Sequence, residues 1–366
     1  MQLTYLHIHN FKSIRSMEIR DIDRALIFVG KNNTGKTSIL DAVCAVCGCY
    51  EIQARDFNEN RQAIRIDACF SIEEEELHLF HHMGIVSQYR RYDVWRRVFS
   101  ERLPSFKDGE LSFTLHVNQD GKVRYEDLYR KNNPYIHMVM PRIYRINAER
   151  ELNQLQNDLL MFQEDEELRR LRSGSCIFER AKKCNHCFQC IGLINQKKPE
   201  ELSAFETARL LEFKIYQLNL IGFSRKVNEN FFKNGGYEEI QYTLNFDADQ
   251  LFTVEVTAHN RQRGSVKPVE LMGKGMRSIY MLSLLETYIS EQGRIPSIIV
   301  VEDPEIFLHP QLQKSCSEIL YRLSKKNQVI FKTHSPDLLF NFSIRQIRQV
   351  VLDDERYSVI RPRTNM

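Results

Sequence analysis

The sequence predicts an α/β fold, and three stretches predict it. "LIFVGKNNTGKTSILDAV" (residues 26–43) runs from an apolar strand through a glycine loop into a helix. "SIIVVEDPEIFLHP" (residues 297–310) and "VIFKTHSPDLL" (residues 329–339) share a form, in which a short apolar run ends in polar, chemically able residues. A run that is apolar throughout, such as residues 298–301, reads as a strand of a parallel sheet buried on both faces.

The elements follow in order. Residues 3–9 and 17–22 alternate as strands about the turn "NFKSI" (residues 10–14). Residues 26–29 are a buried strand, and residues 37–46 are the helix behind its loop. Residues 64–70 and 111–117 read as further strands, with "NQDG" (residues 118–121) as a hairpin turn before a strand at 122–125. From about Asn147 the character changes. Leu152, Leu155, Leu159 and Phe162 keep helical spacing, which Leu168 and Leu171 extend. "SGS" (residues 173–175) interrupts the pattern and a cysteine cluster follows. A second helix carries Phe205, Ala208, Leu211, Ile215 and Leu218 as a stripe, up to "KNGG" (residues 233–236). Strands return at 240–246 and 251–258. After them come a helix at 278–290, a strand at 297–301, a helix at 311–325, a strand at 328–331 and a last strand near 349–352. The expected organisation is an α/β domain in two parts, residues 1–149 and 233–366. A helical hairpin at 150–232, with the cysteines near its tip, interrupts it.

Composition narrows the function classes. A chain of 366 residues with 42% hydrophobic content can bury a sizeable core. Its formal charge of +3 argues neither for nor against nucleic acid. No apolar run approaches the roughly 18 residues of a membrane span. The start "MQLTYLHIHNF" lacks the charged and apolar regions of a signal peptide. Nine cysteines, four of them bunched between Cys176 and Cys190, suit a reducing compartment. A cytoplasmic location is expected.

The glycine loop carries the sharpest chemistry. Gly30-Lys31-Asn32-Asn33-Thr34-Gly35-Lys36-Thr37 fits G-x-x-x-x-G-K-[ST], and Ser38 follows it. The two glycines let consecutive N–H groups turn toward a phosphate, and the helix adds its positive end. Lys36 would reach the β- and γ-phosphates, and the Thr37 hydroxyl would ligate magnesium. Hydrolysis also needs a carboxylate for the metal and a group to orient water. Glu302 and Asp303 emerge at the carboxyl end of their strand, where open α/β sheets bind ligands. Glu302 is assigned to magnesium and Asp303 to the water. His334, at the end of the third apolar run, is a candidate for touching the γ-phosphate or that water. Glu305 and His309 fit a subunit contact and simple loop packing equally.

"NFKSI", "GKNNTGKTS", "VEDPEIFLHP" and "KTHSP" occur in an order that resembles the OLD (overcoming lysogenisation defect) family of ATP-dependent endonucleases. They also resemble the wider ABC-type ATPases of the RecF and SMC kind. The resemblance implies an ABC-type P-loop head, of mixed and parallel sheet with helices, and an inserted dimerisation arm. It also implies ATP and magnesium as ligands. Two such heads face each other as a homodimer or higher homo-oligomer, and a glycine signature of one covers ATP on the other. "LMGKGMRSIYML" (residues 271–282) sits where that signature belongs. It departs from the ABC pattern in lacking the serine before its glycines. Gly273, Lys274 and Gly275 supply backbone donors, and Lys274 or Arg277 could place a cation on the neighbour's γ-phosphate. The alternative is a tight turn capping a helix. A second departure is that no acidic cluster of the Toprim nuclease kind is visible before Met366. The expectation is the ATPase part alone, with a nuclease effector in cis if the chain is a fragment, or otherwise in trans. DNA is a partner by resemblance, and no membrane is expected.

Cys184, Cys187 and Cys190 are spaced C-x-x-C-x-x-C, with Cys176 and His186 as further candidate ligands. Such gaps let thiolates converge on one ion, with zinc the first choice and an iron–sulfur cluster the other. "QYRRYDVWRRVFSERL" (residues 88–103) interleaves aromatics and arginines, as nucleic-acid surfaces do. Yet Tyr92, Trp95, Phe99 and Leu103 also share helical spacing, which favours an amphipathic helix.

Overall fold

The computed structural model describes all residues except 59–62, 148–170, 172–175, 179–183, 185–186, 218–220, 235–236, 241–255, 261–263, 292–296 and 363–366. The expected first helix of the hairpin and most of the strands expected at 240–246 and 251–258 lie outside the described residues. The chain divides into two compact units, Met1–Leu155 with Ala258–Met366, and Gln156–Thr257.

The first unit opens with β1 (Gln2–Phe11) and β2 (Ile14–Ile19), then β3 (Ala25–Val29) and α1 (Lys36–Val46). There follow β4 (Ile64–Ser71), α2 (Glu74–His82), α3 (Tyr92–Arg102), β5 (Phe106–Lys107), β6 (Glu110–Val117), β7 (Val123–Glu126), α4 (Pro134–Val139) and β8 (Arg142–Ile146). The second unit contributes α5 (Ile191–Ile194), α6 (Ala204–Gln217) and α7 (Ile221–Lys233). After a short β9 (Thr257–Asn260) and β10 (Ser265–Pro268), the first unit resumes with α8 (Lys274–Glu291), β11 (Ser297–Glu302), α9 (Pro310–Lys326), β12 (Gln328–Lys332), β13 (Ile347–Leu352) and β14 (Ser358–Ile360).

Two six-stranded sheets result. One is antiparallel, in the order β2-β1-β4-β6-β5 with β7 on β6, and its strands alternate buried and open residues, as in Ile64–Ser71. The other runs β14-β13-β3-β12-β11-β8, parallel except for β14. Every residue of β11 is buried, as a strand covered on both faces requires. One hydrophobic core joins the sheets through α1, from Leu6, Ile8 and Phe11 past Ile39 and Val43 to Phe28, Val300 and Ile330. Each such fully buried side chain contributes roughly 1.5–3 kcal/mol. Cys44 and Cys47 lie in this core, and burial pushes the Cys44 thiol up to about 12. These are packing thiols.

Within residues 88–103, Tyr92–Arg102 form α3 with Trp95 and Phe99 inward, while Tyr92 is half-buried and Tyr89, ahead of the helix, is exposed. Trp95, Phe99 and Leu103 are fully buried, and Trp95 Nε1 donates to Ile85 O at 2.9 Å. Those rings are closed to bases. Of the stripe expected on α6, Phe205 is buried, Ala208 and Ile215 are half-buried, Leu211 is exposed and Leu218 lies outside the described residues. Phe205, Arg209 and Glu212 are the buried residues, Arg209 pairs with Glu212, and Leu211 faces solvent. An internal ion pair let charged residues occupy the covered face, which an apolar count could not foresee.

Candidate functional site

β3, β12 and β11 are adjacent and parallel, so their carboxyl ends deliver three sequence-distant segments to one edge. From β3 the chain turns at Gly30 into the loop. Gly30 has φ +152°, and a Cβ there would fall 2.3 Å from Val350 O. Gly35 has φ +89°, and its Cβ would fall 2.0 Å from Ser358 Oγ. Only glycine closes the loop this way. Gly35 leads into α1 with no side chain capping the helix, so the first N–H groups point into the loop. Lys36 folds back, and its Nζ donates to Gly30 O at 3.0 Å and Lys31 O at 2.6 Å. Burial lowers its pKa, Lys332 lowers it further, and Asp303 and Glu305 oppose the change.

From β11 come the carboxylates. Glu302 is buried beneath the edge, where Arg145 Nη2 lies 2.7 Å from its Oε1 and Lys332 Nζ 3.5 Å from its Oε2. Asp303 adopts φ 42°, a left-handed conformation uncommon outside glycine, with its N–H bonded to Lys332 O at 3.1 Å. Lys332 Nζ stands 2.9 Å from Asp303 Oδ2. From β12 come Thr333 and the exposed His334, whose N–H donates to Glu305 Oε1 at 2.6 Å. A cleft of about 590 Å³ is lined by Ser13, residues 32–38, Asp303, Lys332 and His334.

Of the residues singled out in the sequence, Asn32, Asn33, Thr34, Gly35, Lys36, Thr37, Ser38, Asp303 and His334 thus share one cleft. Glu302 lies beside it under two cations. Gly273 precedes α8, Lys274 and Gly275 open it, and none of the three lines the cleft. A Cβ on Gly275 would lie 2.5 Å from Phe307 O, Lys274 Nζ sits 4.5 Å from the Phe307 ring, and Arg277 donates to Glu270 O at 2.9 Å. Glu305 binds the His334 backbone, and His309 caps α9 through Gln311. In the second unit Cys190 is buried and Cys187 exposed, with Cys176 and Cys184 between these extremes. Burial raises the Cys190 thiol, and neighbouring Cys184 and Cys187 add to the rise. Among the described residues no three of these sulfurs come within 4.8 Å of one another. His186 lies outside the described residues.

Sequence reading missed four participants. Lys332 and Ser13 stand inside quoted motifs without having been assigned a role. Lys12 Nζ lies 2.5 Å from Asp41 Oδ2, and Arg145 Nη2 lies 2.6 Å from Asp41 Oδ1, which ties α1 to β8 and so to Glu302. The signal for Ser13 and Lys12 was their place in "NFKSI". Arg145 carried none.

A magnesium–nucleotide pair fits this donor set. A glycine cradle closed to any Cβ, a lysine that donates to loop carbonyls and a threonine share the cleft with Asp303, and Glu302 precedes Asp303 at the end of the same strand. Among the described residues, Glu305 Oε2 is buried with no hydrogen-bond partner. A metal at Glu302 would compete with Arg145 and Lys332.

A P-loop and an acidic strand end on parallel strands that flank β12, backed by an antiparallel sheet, define the fold of a P-loop ATPase head of the ABC type. The chain belongs to the AAA ATPase domain family, which matches residues 1–339. A stretch of 123 residues is 28% identical to an uncharacterised protein of Methanocaldococcus jannaschii, covering 32% of each chain. The OLD nuclease of Thermus scotoductus is 30% identical over 78 residues, which are 21% of this chain and 15% of that one. The Old nuclease of Escherichia phage P2 is 29% identical over 143 residues, 35% and 23% respectively. The matches thus span about a third or less of each relative's length. Among solved structures, an SMC head bound to the C-winged helix domain of ScpA has a TM-score of 0.51 at 15% identity, covering 98% of this chain and 97% of that one. An Smc head with an extended coiled coil, bound to the C-terminal domain of ScpA derived from Pyrococcus furiosus, has a TM-score of 0.55 at 15% identity, covering 98% and 95%. These likenesses speak to the fold. Among the described residues no helix is long and apolar enough to cross a membrane.

Proposed function

We propose that the chain is a magnesium-dependent ATP-hydrolysing head that works with a second copy of itself in a cytoplasmic, DNA-processing assembly of the OLD kind. The observation that carries the reading is the meeting of Lys36, Asp303 and His334 in one cleft at three neighbouring strand ends. The N–H groups of the loop and Lys36 would bind the β- and γ-phosphates. Thr37 and Glu302 would hold magnesium, which neutralises developing charge on the transferred phosphoryl group. Asp303 would orient the attacking water, with Lys332 fixing the carboxylate and His334 contacting the γ-phosphate from the rim. Gly273 to Gly275, at the start of α8, are assigned to the partner's nucleotide. That they are not among the residues lining their own cleft supports that assignment. The residue 150–232 segment is read as a dimerisation arm, and its cysteines as a metal site, with zinc the first choice and an iron–sulfur cluster the second. Nuclease chemistry is assigned to another domain or chain, as in a phage-defence or repair system.

The second reading is a nucleotide-gated scaffold, or a RecF-like DNA binder, with little turnover. Glu302 already satisfied by Arg145 and Lys332 favours it. Asp303→Asn separates the two. Under the first reading the variant keeps MgATP affinity, accumulates as an ATP-bound dimer and loses phosphate release. Wild-type protein that binds MgATP but releases no phosphate, alone or with DNA, decides for the scaffold.

A further inference from the structure

The open face of the antiparallel sheet carries a group that the proposed function does not use. His7 and His9 are two apart on β1 and so share a face. Asp67 sits on β4 directly opposite His7. His9 Nε2 lies 3.2 Å from His7 Nδ1, which in turn lies 3.9 Å from Asp67 Oδ2. All three donor atoms fall within 4.8 Å of one another, and the three residues are half-buried.

The spacing has a chemical meaning. A tetrahedral zinc-class ion with bonds of about 2.0–2.2 Å separates its ligand atoms by roughly 3.3–3.6 Å. The two separations, 3.2 and 3.9 Å, lie on either side of that range. Without an ion, two neutral ring nitrogens at 3.2 Å are stable only when one of them carries the proton between them. The neighbours are arranged as an outer shell. Ser16 Oγ lies 3.1 Å from His7 Nε2, and when it accepts that proton the lone pair of Nδ1 faces the cluster. Thr114 Oγ1 donates at 2.6 Å and Arg65 Nε at 3.0 Å to Asp67 Oδ1. One carboxylate oxygen is thereby held, and Oδ2 is turned to the histidines.

We propose that His7, His9 and Asp67 form a binding site for a first-row divalent transition metal of the zinc class, with its remaining coordination position open to solvent. Two imidazoles and one carboxylate select zinc, cobalt or nickel over magnesium and calcium, which prefer oxygen alone. The site is therefore chemically separate from the nucleotide cleft. An ion there ties β1 to β4.

Cobalt(II) titrated into the full chain without nucleotide tests this, followed by absorption spectroscopy and calorimetry. Cobalt on cysteines gives sulfur-to-metal charge transfer, so any ion taken by the second unit is told apart. The expected result is one equivalent with a d–d band and no sulfur charge transfer. His9→Ala and Asp67→Ala each remove that equivalent. Thr114→Val, which loosens the outer shell, weakens it by about 10–100-fold. Magnesium in excess does not displace it. His9→Gln, which keeps the volume and a polar tip, is the second variant, and far-ultraviolet circular dichroism reports folding. A wild type whose cobalt is all thiolate-bound overturns the proposal. So does a sulfur-free equivalent that persists in folded His9→Gln and Asp67→Ala proteins.

Discussion

Lys332 Nζ lies 2.9 Å from Asp303 Oδ2, across the ends of two paired strands. Strand pairing sets this contact. Glu302 and Lys332 are in register on β11 and β12, and the Asp303 N–H bonds the Lys332 carbonyl. The lysine therefore holds the carboxylate assigned to the attacking water and also faces Lys36 electrostatically. Replacing it with methionine keeps the stem and removes the charge. Steady-state phosphate release by Lys332→Met should fall about 10–100-fold, short of the about 10²–10⁴-fold that a general base contributes. Nucleotide affinity should change far less. Equal losses in both would mean that Lys332 serves binding and not the orientation of Asp303.

Lys36 makes nucleotide affinity depend on pH. Its pKa is lowered from the ordinary 10.5, first by burial and then by Lys332. A bound triphosphate favours the protonated form, so it raises that pKa. Affinity gained from the charged lysine is fully present below the pKa of the free protein and is lost progressively as pH rises from there through the higher pKa of the bound state. The decline should therefore begin below pH 10.5. Fluorescent-nucleotide titrations across the alkaline range read it directly. Lys36→Arg, whose charge does not titrate there, should show no such decline. A wild-type curve that turns only at or above the ordinary lysine value would contradict the burial assigned to Lys36.

The two loop glycines should fail differently. At Gly30 a Cβ meets the Val350 carbonyl at 2.3 Å, a backbone atom that cannot rotate away. At Gly35 it meets the Ser358 and Ser13 hydroxyl oxygens at 2.0 and 2.7 Å. A non-glycine residue forced into the left-handed region costs about 1–3 kcal/mol in addition. Gly35→Ala should lower stability and nucleotide affinity together, and adding Ser358→Gly should recover part of the stability. No single side-chain change should recover Gly30→Ala. Urea unfolding of the four proteins decides the matter. Equal rescue at both positions would refute the distinction.

The parts of this site that the sequence made legible share one property. Each is a local apolar run whose end carries the chemistry, as in the runs ending at Gly30, Glu302 and Thr333. A strand and its terminal residue can be read from a handful of neighbours. The α/β class and the joining of P-loop, acids and histidine followed from three such runs. Arg145 could not be found that way. Its partners Asp41 and Glu302 are more than a hundred residues distant on either side, and only the pairing of β8 with β11 brings them together. Lys332 looked like a generic strand-end polar residue until β12 was seen to lie between β3 and β11. The α6 stripe misled for the opposite reason, because a buried Arg209–Glu212 pair took positions that an apolar count assigns to solvent.

Arg145 joins Asp41 and Glu302, so its removal should be felt in both the fold and the site. Its Nη2 lies 2.6 Å from one acid and 2.7 Å from the other, and both carboxylates are largely buried. Removing one partner of a buried ion pair costs about 3–5 kcal/mol, because the remaining charge is stranded. Here each acid keeps a lysine, Lys12 at Asp41 and Lys332 at Glu302. The cost of Arg145→Met should therefore fall near the low end, about 3 kcal/mol. Lys12→Met alone should cost less, since Arg145 holds two buried acids at 2.6 and 2.7 Å, whereas Lys12 holds Asp41 at 2.5 Å and its second acid, Asp56, only at 3.5 Å. The double variant strips Asp41 of both cations, so its loss should exceed the sum of the singles by about 1 kcal/mol or more. Urea midpoints for the four proteins, read with their slopes, measure that excess. A sum without excess would mean that the two cations act on Asp41 independently, and that the link from α1 to the carboxylate strand carries no shared energy.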